Sequence, residues 1–159
     1  PDGAIYGVPS HADSVLRIVP ETGEVDVIGE RYVGDFKWGG AVVGADGSVF
    51  CMPCNAERVL RIGPHASEIS EVGPRFLGEE KWQGGVLGDD GVIYGIPVSA
   101  DAVLKIVPDT QEVSTFGGPL KGKSKKWQGA VKGQDGIIYG LPQRAKNILK
   151  IAPDLLRAA

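Results

Sequence analysis

The sequence predicts an all-β fold, specifically a β-propeller segment of about three and a half four-stranded blades with ~44-residue repeats. Three observations carry that prediction. One line recurs: KWGGAVVGADGSVFCMP from Lys37, KWQGGVLGDDGVIYGIP from Lys81 and KWQGAVKGQDGIIYGLP from Lys126, with starts 44 and 45 residues apart. The same period runs on outside that line, through Pro9, Pro53, Pro97 and Pro142, through Leu16, Leu60, Leu104 and Leu149, and through Ile18, Ile62, Ile106 and Ile151. No stretch keeps helical apolar spacing over three turns, whereas short β-branched runs alternate with Gly and Pro turn signals. A fixed period of this size means stacked units, each unable to bury its own apolar face.

The unit from Trp82 to Gly117 shows each element in order. WQGGVLG is strand a. It is short and rich in small residues, as the crowded axis of a propeller requires, and Gly40, Gly84 and Gly129 with Ala41, Gly85 and Ala130 supply them. DDG is a tight turn, because Gly accepts positive φ. VIYGIP is strand b, apolar on both sides as a strand between two packed sheets must be. SADA is a loop, VLKIVP is strand c ended by Pro, and PDTQ is a second turn. EVSTFG is strand d, more polar and suited to the solvent side. A straight solenoid is the competing architecture, since repetition alone does not dictate radial closure.

The repeat units fall at approximately 1–37, 38–81, 82–126 and 127–159, within one domain spanning 1–159. The chain starts at an a–b turn and ends after a fourth strand c followed by DLLRAA, which gives b-c-d, two complete blades and a-b-c. The expectation is a segment of a longer propeller, or one that closes through a second subunit. Ile5–Val8 is expected to pair with a strand from outside residues 1–159 of the same copy. A net charge of −3 and a pI of about 5.4 provide no basic field for nucleic acid. No apolar run approaches the ~20 residues of a membrane span.

The order of small strand, DG turn, IYG, VLxI and P-x-T-x-E-V resembles the blades of NHL, YncE-type and virginiamycin-B-lyase-like propellers across the whole chain. That resemblance implies a propeller and little about activity. The pattern departs from WD-type repeats, which end a strand in Trp-Asp. The lyase's catalytic His and Glu loops have no counterpart here, so the resemblance does not imply its chemistry.

The d–a loops (ERYVGDFK, PRFLGEEK and GPLKGKSKK) are the longest and most variable, and they share one end with the b–c loops. Binding residues concentrate on variable loops held by a rigid scaffold, so this face is the candidate. Trp38, Trp82 and Trp127 stand where these loops enter strand a, preceded by Lys37, Lys81 and Lys126. They read either as an aromatic and cationic ring for a ligand or as blade-to-blade packing. Cys51 and Cys54 form a CxxC, a weak candidate for a metal, disulfide or redox pair, with His65 in a different turn. Their register favours a structural role, because Cys51 aligns with Gly7, Gly95 and Gly140, and Cys54 with Ser10, Val98 and Gln143. Arg17, Arg61, Lys105 and Lys150 face Glu24, Glu68 and Glu112 across a turn and predict cross-strand pairing. Lys121, Lys123, Lys125 and Lys126 make a charged loop. No nucleophile–base set, paired carboxylate site or phosphate loop can be placed, and no cofactor is expected. The resulting expectation is a non-catalytic binding or scaffold module that engages a protein partner through the d–a and b–c face. The alternatives are a carbohydrate-binding propeller, and part of a propeller lyase or hydrolase whose catalytic residues sit on other blades.

Overall fold

The computed structural model describes residues 3–122 and 124–153; Lys123 of the lysine loop and the stretch 154–159 after the last strand lie outside them. Among the described residues, fourteen strands form four antiparallel sheets. The first sheet is β1 (Ile5–Gly7), β2 (Val15–Val19) and β3 (Glu24–Ile28). The second is β4 (Trp38–Val43), β5 (Val49–Pro53), β6 (Val59–Ile62) and β7 (Ile69–Val72), with a short 3-10 turn at Pro64–Ala66. The third is β8 (Trp82–Leu87), β9 (Ile93–Pro97), β10 (Val103–Val107) and β11 (Glu112–Phe116). The fourth is β12 (Trp127–Lys132), β13 (Ile138–Pro142) and β14 (Leu149–Ile151). Each sheet is a meander in chain order. β1 is the inner edge of a three-stranded sheet, so the strand expected to pair with Ile5–Val8 is not among the described residues.

The a–b turns are built by one carboxylate each. Asp46, Asp90 and Asp135 accept from the backbone N–H of Ser48, Val92 and Ile137 at 3.0, 3.1 and 3.1 Å. The glycine that follows each Asp has φ of 80, 78 and 75°. The Asp side chain closes the turn and the glycine supplies its left-handed residue.

Strand a is bulged in every repeat. Trp38 faces Pro53 but Ala41 faces Cys51, and the same slip recurs between Trp82 and Gly85 and between Trp127 and Ala130. Gly40, Gly84 and Gly129 sit in the bulges at φ 88, 70 and 71°. Crowding at the axis explains only one of them. A Cβ at Gly40 would lie 3.2 Å from the Gly84 backbone, whereas at Gly84 and Gly129 it would meet nothing within 4 Å. At those two positions the backbone conformation demands glycine, not the space.

Apolar side chains from both faces of the middle strands fill three layers between successive sheets. Val15 of the first sheet packs with Cys51, Leu60 and Ile62 of the second. Met52 and Val59 of the second meet Ile93, Leu104 and Ile106 of the third. Tyr94, Ile96 and Val103 of the third meet Ile138, Leu149 and Ile151 of the fourth. β9 therefore buries all five of its residues, as a strand between two interfaces must. The inner strands β4, β8 and β12 adjoin one another, so the sheets fan about an axis rather than stack in a column. This is a partial β-propeller. Arg17 lies 3.8 Å from Glu24 and Arg61 3.4 Å from Glu68, in line with the cross-strand charge expectation at those two repeats, while the shorter contact of Arg17, 3.3 Å, is to Asp26.

Gly84→Ala and Gly129→Ala should each lose about 1–2 kcal/mol in urea denaturation, the cost of placing a Cβ in left-handed backbone. Gly40→Ala should lose more, because it adds the contact with Gly84. Equal losses at all three would contradict this assignment.

Candidate functional site: the axial mouth

The repeat-invariant lysines are buried, each no more than 4% exposed. An ammonium cannot be buried without donors satisfied, and here backbone carbonyls do it. Lys37 Nζ donates to Gly34 O at 2.6 Å and Ser10 O at 3.2 Å. Lys81 Nζ donates to Gly78 O at 2.7 Å and Cys54 O at 3.0 Å. Lys126 Nζ donates to Ser99 O at 3.0 Å. Gly34 and Gly78 lie in the d–a loops of Lys37 and Lys81; Ser10, Cys54 and Ser99 follow strand b of the preceding sheet. The main chain repeats the link, since Lys81 N–H also donates to Cys54 O at 3.0 Å. Each lysine thus ties its own strand to the preceding sheet, and Lys37 and Lys81 tie in a loop as well. Burial lowers the pKa of Lys81 and Lys126, opposed by the thiol of Cys54 and by Glu57 and Glu79 around Lys81, and by Asp101 near Lys126.

The tryptophans turn inward beside them. Trp38, Trp82 and Trp127 donate Nε1–H to the carbonyls of Arg58, Ala102 and Asn147 at 2.9, 2.9 and 2.8 Å. Tyr32 stands edge-on to Trp38 at 4.9 Å and Phe76 to Trp82 at 5.0 Å. All six side chains singled out from the sequence are therefore engaged within the chain. They stand on the expected face, beneath its surface.

What opens at the axis on that face is a cavity of about 190 Å³. Three registers of the repeat line it. Phe36, Glu80 and Lys125 come just before the buried lysines. Gly39, Gln83 and Gln128 come just after the tryptophans. Ser10, Cys54, Val98 and Gln143 follow strand b. The bulge explains the second register: it lets Trp82 enter the core while the next residue, Gln83, faces the mouth. Phe36, Glu80 and Lys125 have φ of 50, 48 and 59°, left-handed backbone that costs non-glycine residues energy. That turn is what sends one side chain to the mouth and the next, the lysine, inward.

The lining is mixed in chemistry. Lys125 lies 3.7 Å from Glu80 across the opening. Phe36 carries His11 edge-on at 4.2 Å. Gln83, Gln128 and Gln143 supply carboxamides that both donate and accept. Of the lining residues only Cys54 was singled out as a candidate ligand from the sequence, as a weak metal candidate, although a signal for the others exists. At the first and third registers the residue changes at every repeat, and at the second Gly39 gives way to Gln83 and Gln128, whereas the adjoining Lys-Trp pair never changes.

Cys51 and Cys54 are free thiols, both buried. Burial pushes the Cys51 thiol up to about 12 and raises Cys54, the latter opposed by Lys81. Among the described residues, no group of three or more His, Cys, Asp or Glu could hold a metal ion. No helix among them is long and apolar enough to cross a membrane.

No protein-family model matches the chain, and no curated protein sequence matches it. Solved structures do resemble it. A streptogramin B lyase structure aligns with TM-score 0.75 and 17% identity, over 96% of this chain and 49% of that one. A catalytically inactive virginiamycin B lyase from Staphylococcus aureus with quinupristin aligns with TM-score 0.70 and 17% identity, over 94% and 52%. The extracellular domain of a hybrid two-component system from B. thetaiotaomicron aligns with TM-score 0.64 and 12% identity, over 97% and 21%. The chain spans about half the length of the two lyases, and the likeness is one of fold.

Lys81→Met removes the donor to two carbonyls and should cost about 2–3 kcal/mol in urea denaturation, against less than about 0.5 for Lys121→Met on the surface. The Cys51 thiol yields a pH signature. Unfolded, it ionises near 9.0; folded, near 12. The unfolded chain releases its proton first, so the stability this group provides is complete below pH 9 and is lost as pH rises toward 12. Between pH 9 and 10 the wild type should lose about 1 kcal/mol more than Cys51→Ala. Parallel pH curves for the two would refute the burial argument.

Proposed function

We propose that the chain is a non-catalytic binding module that receives a side chain or short segment of a protein partner at the axial mouth. The observation that supports this reading is the lining itself: two of its three registers differ at every repeat, beside a Lys-Trp pair that is constant. A scaffold that keeps such a pair constant and varies the rim next to it suits recognition. The cavity volume of about 190 Å³ is smaller than the ~300–1,000 Å³ of enclosed small-molecule sites and matches an inserted side chain. The carboxamides suit the donors and acceptors of a peptide backbone, and the Glu80–Lys125 pair offers both signs of charge. In this proposal Trp38, Trp82 and Trp127, with Lys37, Lys81 and Lys126, act as the floor that fixes the rim. The propeller resemblance of the blade pattern, to NHL and YncE-type repeats among others, accords with such a role.

A second reading has a specific observation behind it. Two of the similar structures are lyases, and the chain spans about half their length. On that reading this segment supplies part of a substrate-binding mouth and other blades supply the chemistry.

The test is a peptide-display selection run beside a glycan array, each with the wild type and with Gly39→Gln. A side chain at Gly39 would reach Gln83 within 3.1 Å and fill the mouth. Peptides enriched by the wild type and lost by the variant support the proposal. Enrichment of glycans alone favours a lectin, and binding that Gly39→Gln leaves intact overturns the mouth as the site.

A further inference from the structure

Three positive charges lie behind the wall of the axial mouth, and no carboxylate pairs with them. Lys37, Lys81 and Lys126 are buried, and their ammonium groups donate to backbone carbonyls. Two of those carbonyls belong to Ser10 and Cys54, whose side chains line the mouth; a third belongs to Ser99, next to the lining residue Val98. Among the described residues, no carboxylate forms an ion pair with any of the three lysines. A carbonyl satisfies a donor but carries no net charge, so the positive charge remains. A buried charge also acts over a longer reach than one in water.

The neighbouring carboxylates open elsewhere. Asp35 and Glu57 line a groove beside Trp38, Asp101 lines one beside Trp82, and Glu79 is not part of the mouth's lining. The lining itself holds one carboxylate, Glu80, and one ammonium, Lys125, 3.7 Å apart. Their side chains are 46% and 40% exposed, so an arriving group can exchange into the pair. With the lysines behind the wall, the mouth presents four ammoniums (Lys37, Lys81, Lys125 and Lys126) against the single carboxylate of Glu80. The carboxamides of Gln83, Gln128 and Gln143 add N–H donors at the rim. A cation entering here would meet one acceptor charge and four like charges.

We infer that the group received at the mouth is a carboxylate, either an acidic side chain of the partner segment or its C-terminus. This rests on the binding role proposed above and names its chemistry. The carboxylate takes the place of Glu80 beside Lys125, accepts from the rim carboxamides and gains the attraction of the ammoniums behind the wall. Gly39, where the other repeats carry Gln83 and Gln128, leaves the room it needs. Complementary charge of this kind selects the partner more than it strengthens the grip.

The test has two arms. In the first, peptide libraries displayed with free and with blocked C-termini are selected on the wild type and on Gly39→Gln. The peptides that Gly39→Gln loses should carry Asp or Glu at one fixed position, or should enrich only with a free C-terminus, and the two libraries tell these sources apart. Peptides lost by Gly39→Gln that carry neither overturn the inference and leave the mouth a peptide site. In the second arm, N-acetylglycine and the α-amide of N-acetylglutamate are titrated by NMR, with N-acetyl-lysinamide as the cationic control. The amides of Gly39, Gln83 and Gln128 should respond to the two carboxylates and not to the lysine amide. Lys125→Gln should weaken carboxylate binding by about fivefold, and Glu80→Gln should tighten it, because the competing anion is gone. Circular dichroism checks that both variants fold. A response to the lysine amide alone, weaker carboxylate binding by Glu80→Gln, or no response to any probe would overturn the inference. Carboxylate binding at these amides with no enriched peptide supports the carboxylate site and counts against the peptide reading alone.

Discussion

A buried ammonium holds this fold together. At the start of β4, β8 and β12 a lysine is taken out of water and bonded to a carbonyl of the preceding sheet, joined at Lys37 and Lys81 by a second carbonyl from a loop. Apolar layers alone would let successive sheets slide, because dispersion and the hydrophobic effect are not directional. A buried charge is directional and unforgiving: it demands its acceptors at one place. The stitch therefore sets the register of one unit on the next. The neighbouring indole repeats the logic on the b–c loop, where one carbonyl per repeat accepts its N–H.

The stitch and the bulge together sort the side chains. The residue before each lysine turns through left-handed backbone, and the residue after each tryptophan follows the slip in register. Four consecutive residues, such as Glu80, Lys81, Trp82 and Gln83, thus point out, in, in and out. The outer two reach the mouth and the inner two never do. Packing and the rim are assigned to neighbouring positions without interfering, which lets the rim change while the Lys-Trp pair stays constant.

Much of this was legible in the sequence. The fold class, the order a-b-c-d and the end of the molecule that carries the mouth follow from period, turn glycines and loop length. The side chains at the site were harder to read. A lysine beside a tryptophan on a loop looks like a surface pair, and only the carbonyls brought within reach by folding make burial tolerable; those acceptors leave no mark in sequence. Gly84 was read as crowded when it is needed for its backbone angle, since one glycine code serves both causes. The thiol pair was ambiguous for a similar reason: Cys51 stands opposite Leu60 where other repeats place glycine, and spacing alone does not separate a small core residue from a ligand.

Variation among repeats separates the two surfaces by the same physics. A position used at every sheet-to-sheet interface keeps its apolar character in every repeat, as Met52 and Ile96 do without being identical, because each copy meets a like neighbour. A position that meets an outside molecule is used once, so the copies are free to differ. Phe36, Glu80 and Lys125 behave in the second way, as do Ser10, Cys54, Val98 and Gln143. Leu16 and Ile18 behave in the first: they match Leu60 and Ile62, Leu104 and Ile106, and Leu149 and Ile151. Their side chains follow the code of an interface between sheets although Leu16 is 38% exposed in a single copy. A solvent-facing position would have no reason to keep that code. The apolar face of the first sheet is therefore composed as one half of a sheet-to-sheet layer, a code that the rim of the mouth does not follow.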